Sequence, residues 1–262
     1  MGGMRTMRSP TQPPDAGSGR RKAFRIVAGV LGVAIVALSL PLTIQSFTDD
    51  AESIHRLHNL AGVFGFGLLL GGSLIVMART PDAIGPFWVA TASGVATTIA
   101  GIVSGDFISG IYYSAPIGVA ILAALHPDRR ALLDIRGFDL PTVVLALAAL
   151  IPAVAFALTQ SELQRDGFAS DPHVEFHHYS AMASYALAVP LAAFAASFRV
   201  PGRRAAAWIV GLTALGLGLI SLLLSDHPGA FDAVWAWLLI VWAIAITELA
   251  ERSSRKERVS TR

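Results

Sequence analysis

Apolar runs close to a spanning length recur through the whole chain, and this constrains the fold more than any other feature. A hydrocarbon core about 30 Å thick is crossed by roughly 20 residues of helix, at 1.5 Å rise per residue. Eight such runs are read at 24–46, 57–77, 87–104, 110–125, 140–158, 180–198, 205–224 and 230–249. Helices satisfy their own backbone polar groups, so lipid tolerates them where it excludes open strands. The composition agrees. Of 262 residues, 54% are hydrophobic and only 15% charged, against about 25% in a soluble domain. The expected fold is an all-α membrane protein of about eight transmembrane helices, with the lipid bilayer as its first partner. Pro41, Pro116, Pro152 and Pro190 fall inside runs, where neighbouring helices can re-satisfy the freed carbonyls.

Several chemistries are excluded at once. The chain has no cysteine, so disulfides, thiolate metal sites and thiol catalysis are absent. No lysine lies in the runs, which removes a retinal Schiff base, and there is no phosphate-binding glycine loop, HExxH or nucleophile elbow. Nucleic acid is not an expected partner: the basic residues sit at helix ends, where topology accounts for them. They are almost all Arg, which fits a GC-rich bacterial genome. Gly67 and Gly71 have the small-residue spacing of close helix packing. The tryptophans read as interface anchors.

The charges orient the chain. With both termini cytoplasmic and the runs alternating, the inner segments hold Arg129, Arg130, Arg136, Arg199, Arg203, Arg204, Arg252, Arg255, Lys256, Arg258 and Arg262. The outer segments hold only Arg56 and Arg165. This is the positive-inside pattern, and it predicts a multi-pass protein of the cell membrane. The outer side then collects His55, His58, His173, His177, His178 and His227, leaving His126 alone inside.

The polar landmarks repeat. Leu42-Thr-Ile-Gln-Ser46 closes the first run and Leu158-Thr-Gln-Ser161 the fifth. An acidic loop and a histidine cluster follow each. Asp106 and Asp226 close the third and seventh, and the shift is about 120 residues throughout. The expected organisation is a cytoplasmic tail (1–23), a four-helix repeat (24–126), a cytoplasmic linker (127–138), a second repeat (139–250) and a tail (251–262). Four helices per unit preserve orientation. The two bundles should therefore be parallel, about a pseudo-two-fold along the membrane normal.

The sharpest local motif is Glu52-Ser-Ile-His55-Arg56-Leu-His58. Residues three or four apart share a helix face, so Glu52, His55 and His58 project together. Imidazole at His55 can ligate a metal or haem iron. Glu52 can relay a proton or orient the ring. Arg56 can pair with a carboxylate or propionate. The counterpart is His177-His178-Tyr179, in which neighbours point about 100° apart and only one histidine should face the bundle. Asp106 and Asp226 read as helix-end residues that can complete a metal site. His227, before Pro228-Gly229, reads as a turn residue.

With these features the chain resembles the haem A synthase family, over about residues 25–250. Glu52-x-x-His55-Arg56 matches that family's signature at the start of its second span. His177, with Ala181 after it, resembles the histidine opening its sixth, and the stretch 94–106 resembles its third span. The resemblance implies eight spans in two four-helix repeats and a haem-modifying oxidoreductase. It implies haem held by His55 and His177, with Arg56, His58 and His178 beside it and Glu52 as the catalytic carboxylate, served by a haem substrate and an electron donor. The family completes its ligation with histidines on spans four and eight, which this chain lacks there. Two other classes stay open on the same residues. One is a metal-dependent membrane hydrolase holding Zn²⁺ on outer histidines and aspartates. The other is a non-enzymatic transporter or scaffold.

Overall fold

The computed structural model describes residues 16–48, 55–106, 111–168, 170–227 and 229–260. Eight helices run through them: α1 (Ala16–Thr48), α2 (Arg56–Arg79), α3 (Ile84–Val103), α4 (Ile111–Leu125), α5 (Leu140–Asp166), α6 (His178–Ala196), α7 (Arg203–Leu223) and α8 (Ala233–Ser260). Among the described residues all but α4 are long and apolar enough to cross a membrane, making seven candidate spans. At 15 residues, α4 is shorter than the roughly 20 that a perpendicular crossing takes. The fold is that of an all-α multi-pass membrane protein.

Burial sorts the helices into two sets. In α6 and α7, 83% and 67% of the spanning stretch is buried; in α1, α5 and α8 the figures are 12%, 17% and 22%. The outer helices accordingly show large apolar side chains to their surroundings, among them Val33, Leu38, Ile151, Trp237 and Val241. Such a surface suits a lipid surround. The inner set is α2, α3, α6 and α7. The two halves of the chain pack on each other through α3 against α6, one of the most extensive contacts in the protein, and through α2 against α7. The pairs α1–α2, α3–α4, α2–α3 and α1–α4 recur four helices later as α5–α6, α7–α8, α6–α7 and α5–α8.

The middle of α2, Val63–Gly72, is wound as a π-helix, a wide form that concentrates at functional sites. Its sequence, VFGFGLLLGG, is rich in glycine, and the reason is visible at Gly65. The ring of Tyr185 lies on the backbone there, and a Cβ would overlap it.

The two ends of the bundle differ in chemistry. At one end Arg21 pairs with Asp82, His126 contacts the Pro81 carbonyl (Nε2–O 3.0 Å) and Asp139 caps α5 by accepting from Thr142. Ser253 of α8 also donates to Asp139 (3.2 Å), joining α5 and α8. Most of the arginines gather at this end. At the other end the Arg56 Nε donates to the Ser46 carbonyl (2.8 Å) and Asn59 to Ser46 Oγ (2.7 Å), fastening α1 to α2. All the histidines except His126 meet there.

Candidate metal centre

Four separate pieces of chain deliver the histidines. His55 immediately precedes α2 and His58 lies in its first turn, so the two share a face. They are buried, with 6% and 4% of their surface exposed. His173 stands on a single helical turn, Pro172–Glu175, capped by Asp171, which accepts from the His173 backbone N–H at 2.9 Å. His227 follows α7 in a tight turn closed by the Ala230 N–H on the His227 carbonyl (2.8 Å). His178 opens α6.

His177 separates itself from His178 by its backbone. Its φ of 57° makes it the one described non-glycine residue in the left-handed region. Such a conformation is uncommon outside glycine and tends to persist where surrounding structure enforces it. The turn leaves His178 inside the cluster and carries His177, 40% exposed at its side chain, towards Asp106. There His177 Nδ1 stands 2.8 Å from Asp106 Oδ2. That is ion-pair distance, although the approach is not aligned as a hydrogen bond. Asp106 itself is buried.

Five imidazoles are thus in mutual contact. His58 stacks on His178, with ring centres 4.6 Å apart and planes at 21°. It meets His227 edge-on at 4.6 Å and His173 at 5.1 Å. His55 closes the group, its Nδ1 lying 3.0 Å from that of His178. Within the cluster, His58, His173 and His227 each offer a ring nitrogen, and these three atoms lie within 4.8 Å of one another. Tetrahedral zinc at bonds of about 2.0–2.1 Å places its nitrogens about 3.4 Å apart, so a modest inward rotation of the rings closes the site.

Two features favour metal ligation over ordinary packing. Neither nitrogen of the buried His58 has a hydrogen-bond partner among the described residues, and an unmet buried polar group costs about 1–3 kcal/mol. His173, by contrast, is already oriented. Its Nδ1 lies 2.9 Å from Asp171 Oδ1, which leaves Nε2 as the ligating atom in the carboxylate–histidine–metal arrangement. Tyr179 donates to the other oxygen of Asp171 at 3.3 Å. Burial pushes the Asp171 carboxyl up, but the backbone and side-chain hydrogen bonds from His173 outweigh it and hold the group below its ordinary range. At His227 the Gly229 N–H donates to Nδ1 (3.1 Å). Ligation through Nε2 requires that bond to be released. Gly229 is also where the loop lies against His58: a Cβ there would stand 2.7 Å from the ring.

The residues singled out in the sequence divide accordingly. Glu52 lies outside the described residues. His55, His58 and His178 enter the cluster, while Arg56 turns away to Ser46 and the Phe47 ring. His177 joins Asp106, and Asp226 is exposed. His173 and His227, given no ligand role by the sequence, supply two of the three converging nitrogens. The only local hint was the Asp171-Pro172-His173 cap at one and the Pro-Gly turn after the other.

A cavity of about 500 Å³ opens beside the cluster, lined by His58, His177 and His178 at one end and by apolar residues of α1, α2 and α4 along its length. A haem iron between two axial imidazoles needs nitrogens about 4 Å apart, twice a metal–imidazole bond. The Nδ1 atoms of His55 and His178 lie 3.0 Å apart, and His177 stands beside Asp106 rather than His55. A haem held by one histidine at the cavity mouth does not depend on either spacing. No protein-family model, curated protein or solved structure matches this chain.

Proposed function

We propose that the chain is a membrane metalloenzyme of the hydrolase class. It would hold one zinc-class ion on His58, His173 and His227 and act on a substrate reached through the adjoining cavity. The observation that carries the proposal is the convergence of three imidazole nitrogens around a buried His58 that has no hydrogen-bond partner among the described residues. Imidazole-only ligand sets suit zinc, copper, iron or nickel, and a three-histidine site leaves a fourth position for water or substrate. When bound, the ion supplies Lewis acidity towards a carbonyl or water.

The protein's own groups cover the remaining tasks. Asp171 fixes the tautomer and aim of His173. His178 and His55, touching each other and next to the site, can pass a proton between water and a leaving oxygen. Hydrolysis adds hydroxyl from water to the acyl carbon and the remaining proton to the departing oxygen, so it requires no electron partner. By the positive-inside rule, the arginine excess at the opposite end supports a metal centre at the outer face with both termini cytoplasmic.

A second reading keeps the haem A synthase resemblance. It is favoured by the cavity at His58 and His178, in which a haem with a single histidine ligand could lie. One preparation separates the two. The protein is purified in detergent after growth with trace metals, and its metals and optical spectrum are measured. The metalloenzyme reading expects about one zinc-class ion per chain and no Soret band, with the ion lost in His173→Ala and in His227→Ala. A Soret band with no stoichiometric zinc-class ion would replace it with the haem reading.

A further inference from the structure

The cavity beside the histidines has a polar end, an apolar length and a side opening. His58, His178, Asn59 and Tyr185 form the polar end. Leu31, Ile35, Phe66, Leu70, Val119 and Leu122 line the length. Leu38 lines it too, yet is 73% exposed on the outer surface of α1, a helix that is only 12% buried along its span. The cavity therefore meets the surface that faces lipid, and a membrane-dissolved molecule reaches it without passing through water. Its volume lies within the roughly 300–1,000 Å³ of ligand sites.

The wall also specifies charge. Among the described residues no Arg, Lys, Asp or Glu lines the cavity. In the metal-free protein a phosphate or carboxylate head drawn into it would lose its hydration and meet no cationic side chain in that lining. A hydroxyl or carbonyl head finds imidazole nitrogens, an amide and a phenol, all able to exchange hydrogen bonds with it. We infer that the cavity binds a neutral lipid whose hydroxyl- or carbonyl-bearing head sits at His58 and His178 while its tail lies along α1, α2 and α4. Only the placement of the head beside the proposed ion rests on the metal-centre reading; the preference for a neutral head is a property of the wall without metal.

Gly118 supplies the test. It lines the cavity, and a Cβ built on it meets nothing within 4 Å, so a larger side chain enters empty space. Wild type, Gly118→Leu and Gly118→Phe are compared with Ile117→Phe, which adds bulk on the lipid-facing side of the same helix. Each is placed in phosphatidylcholine nanodiscs. Binding of decanol and of a decyl-tailed benzoquinone is measured against decyl phosphate, together with zinc content and melting temperature. The neutral probes should bind wild type and Ile117→Phe alike. Gly118→Leu should weaken them and Gly118→Phe should weaken them at least tenfold, with zinc content and melting temperature retained. In chelator-treated protein, decyl phosphate should bind at least tenfold more weakly than decanol. Equal binding to Gly118→Phe, or a preference for the phosphate in that metal-free protein, overturns the lipid site. If zinc is absent while neutral binding persists and is lost on filling Gly118, the site stands and the metal-centre reading falls.

Discussion

Replacing His58 with Leu separates a metal ligand from a packing residue. In the absence of metal the imidazole is buried with both nitrogens unpartnered among the described residues, a penalty of about 1–3 kcal/mol. Leu removes that penalty but gives up contacts with His173, His178 and His227, each worth about 0.5–1.5 kcal/mol if well formed, in exchange for its own apolar packing. The two sides are of similar size, so the variant should stay close to wild type in chelator. An ordinary large-to-small change in a core costs about 2–5 kcal/mol. Adding zinc separates the two. At a hundred times its Kd, a ligand that binds only the folded state contributes about 2.7 kcal/mol. Wild type gains this amount, and the variant, short of one ligand, gains little. The assay is thermal unfolding in detergent followed by tryptophan fluorescence, with chelator and with zinc. Zinc should raise the wild-type midpoint by several degrees and leave His58→Leu almost unmoved. A variant that is clearly less stable in chelator, joined to a wild type that ignores zinc, would refute the reasoning and leave His58 as packing.

Four further outcomes are expected. Asp171→Asn, which keeps the shape but weakens the hold on His173, should reduce zinc affinity about 10- to 100-fold, read by competition with a chelating dye. Because the folded carboxyl is held below its ordinary value of 3.8, its contribution to stability is fully present above that value. It is lost as pH falls through the lower folded value, so the stability gap between wild type and Asp171→Asn should close in acid. Gly65→Ala should destabilise the α2–α6 contact by about 1–3 kcal/mol through overlap with Tyr185, seen as a lower melting temperature. The chain lacks cysteine, so single replacements report topology directly. Ser170→Cys should react with an impermeant maleimide on intact cells, and Arg255→Cys only after permeabilisation; the opposite result would reverse the orientation.

The membrane fold was legible because span length and apolarity are local properties of the sequence. The expected start of the sixth run at 180 came two residues late, since nothing in HHYS announces that His177 adopts a left-handed backbone and that α6 begins at His178. The α4 region shows a different limit. Its apolar run is compositionally adequate, but the helix covers only Ile111–Leu125, with 107–110 outside the described residues. The candidate site was half legible. Helical spacing joins His55 to His58, and the sequence allows only one of His177 and His178 to face the bundle. It cannot say which, because the choice is made by a single φ. His173 and His227 arrive from loops far apart in the chain, and no periodicity connects them to α2. Their convergence is a product of the packing of α2 against α6 and α7.

The central claim is that three histidines bind one ion, and X-ray absorption at the zinc edge tests it most directly. Purified wild type, loaded with one equivalent of zinc, should show a first shell of nitrogen or oxygen at about 2.0–2.1 Å. The outer-shell pattern of about three imidazoles should also be present, and that pattern should weaken by one imidazole in His227→Ala. A spectrum without imidazole scattering, or one unchanged by His58→Leu, His173→Ala and His227→Ala alike, would contradict the account.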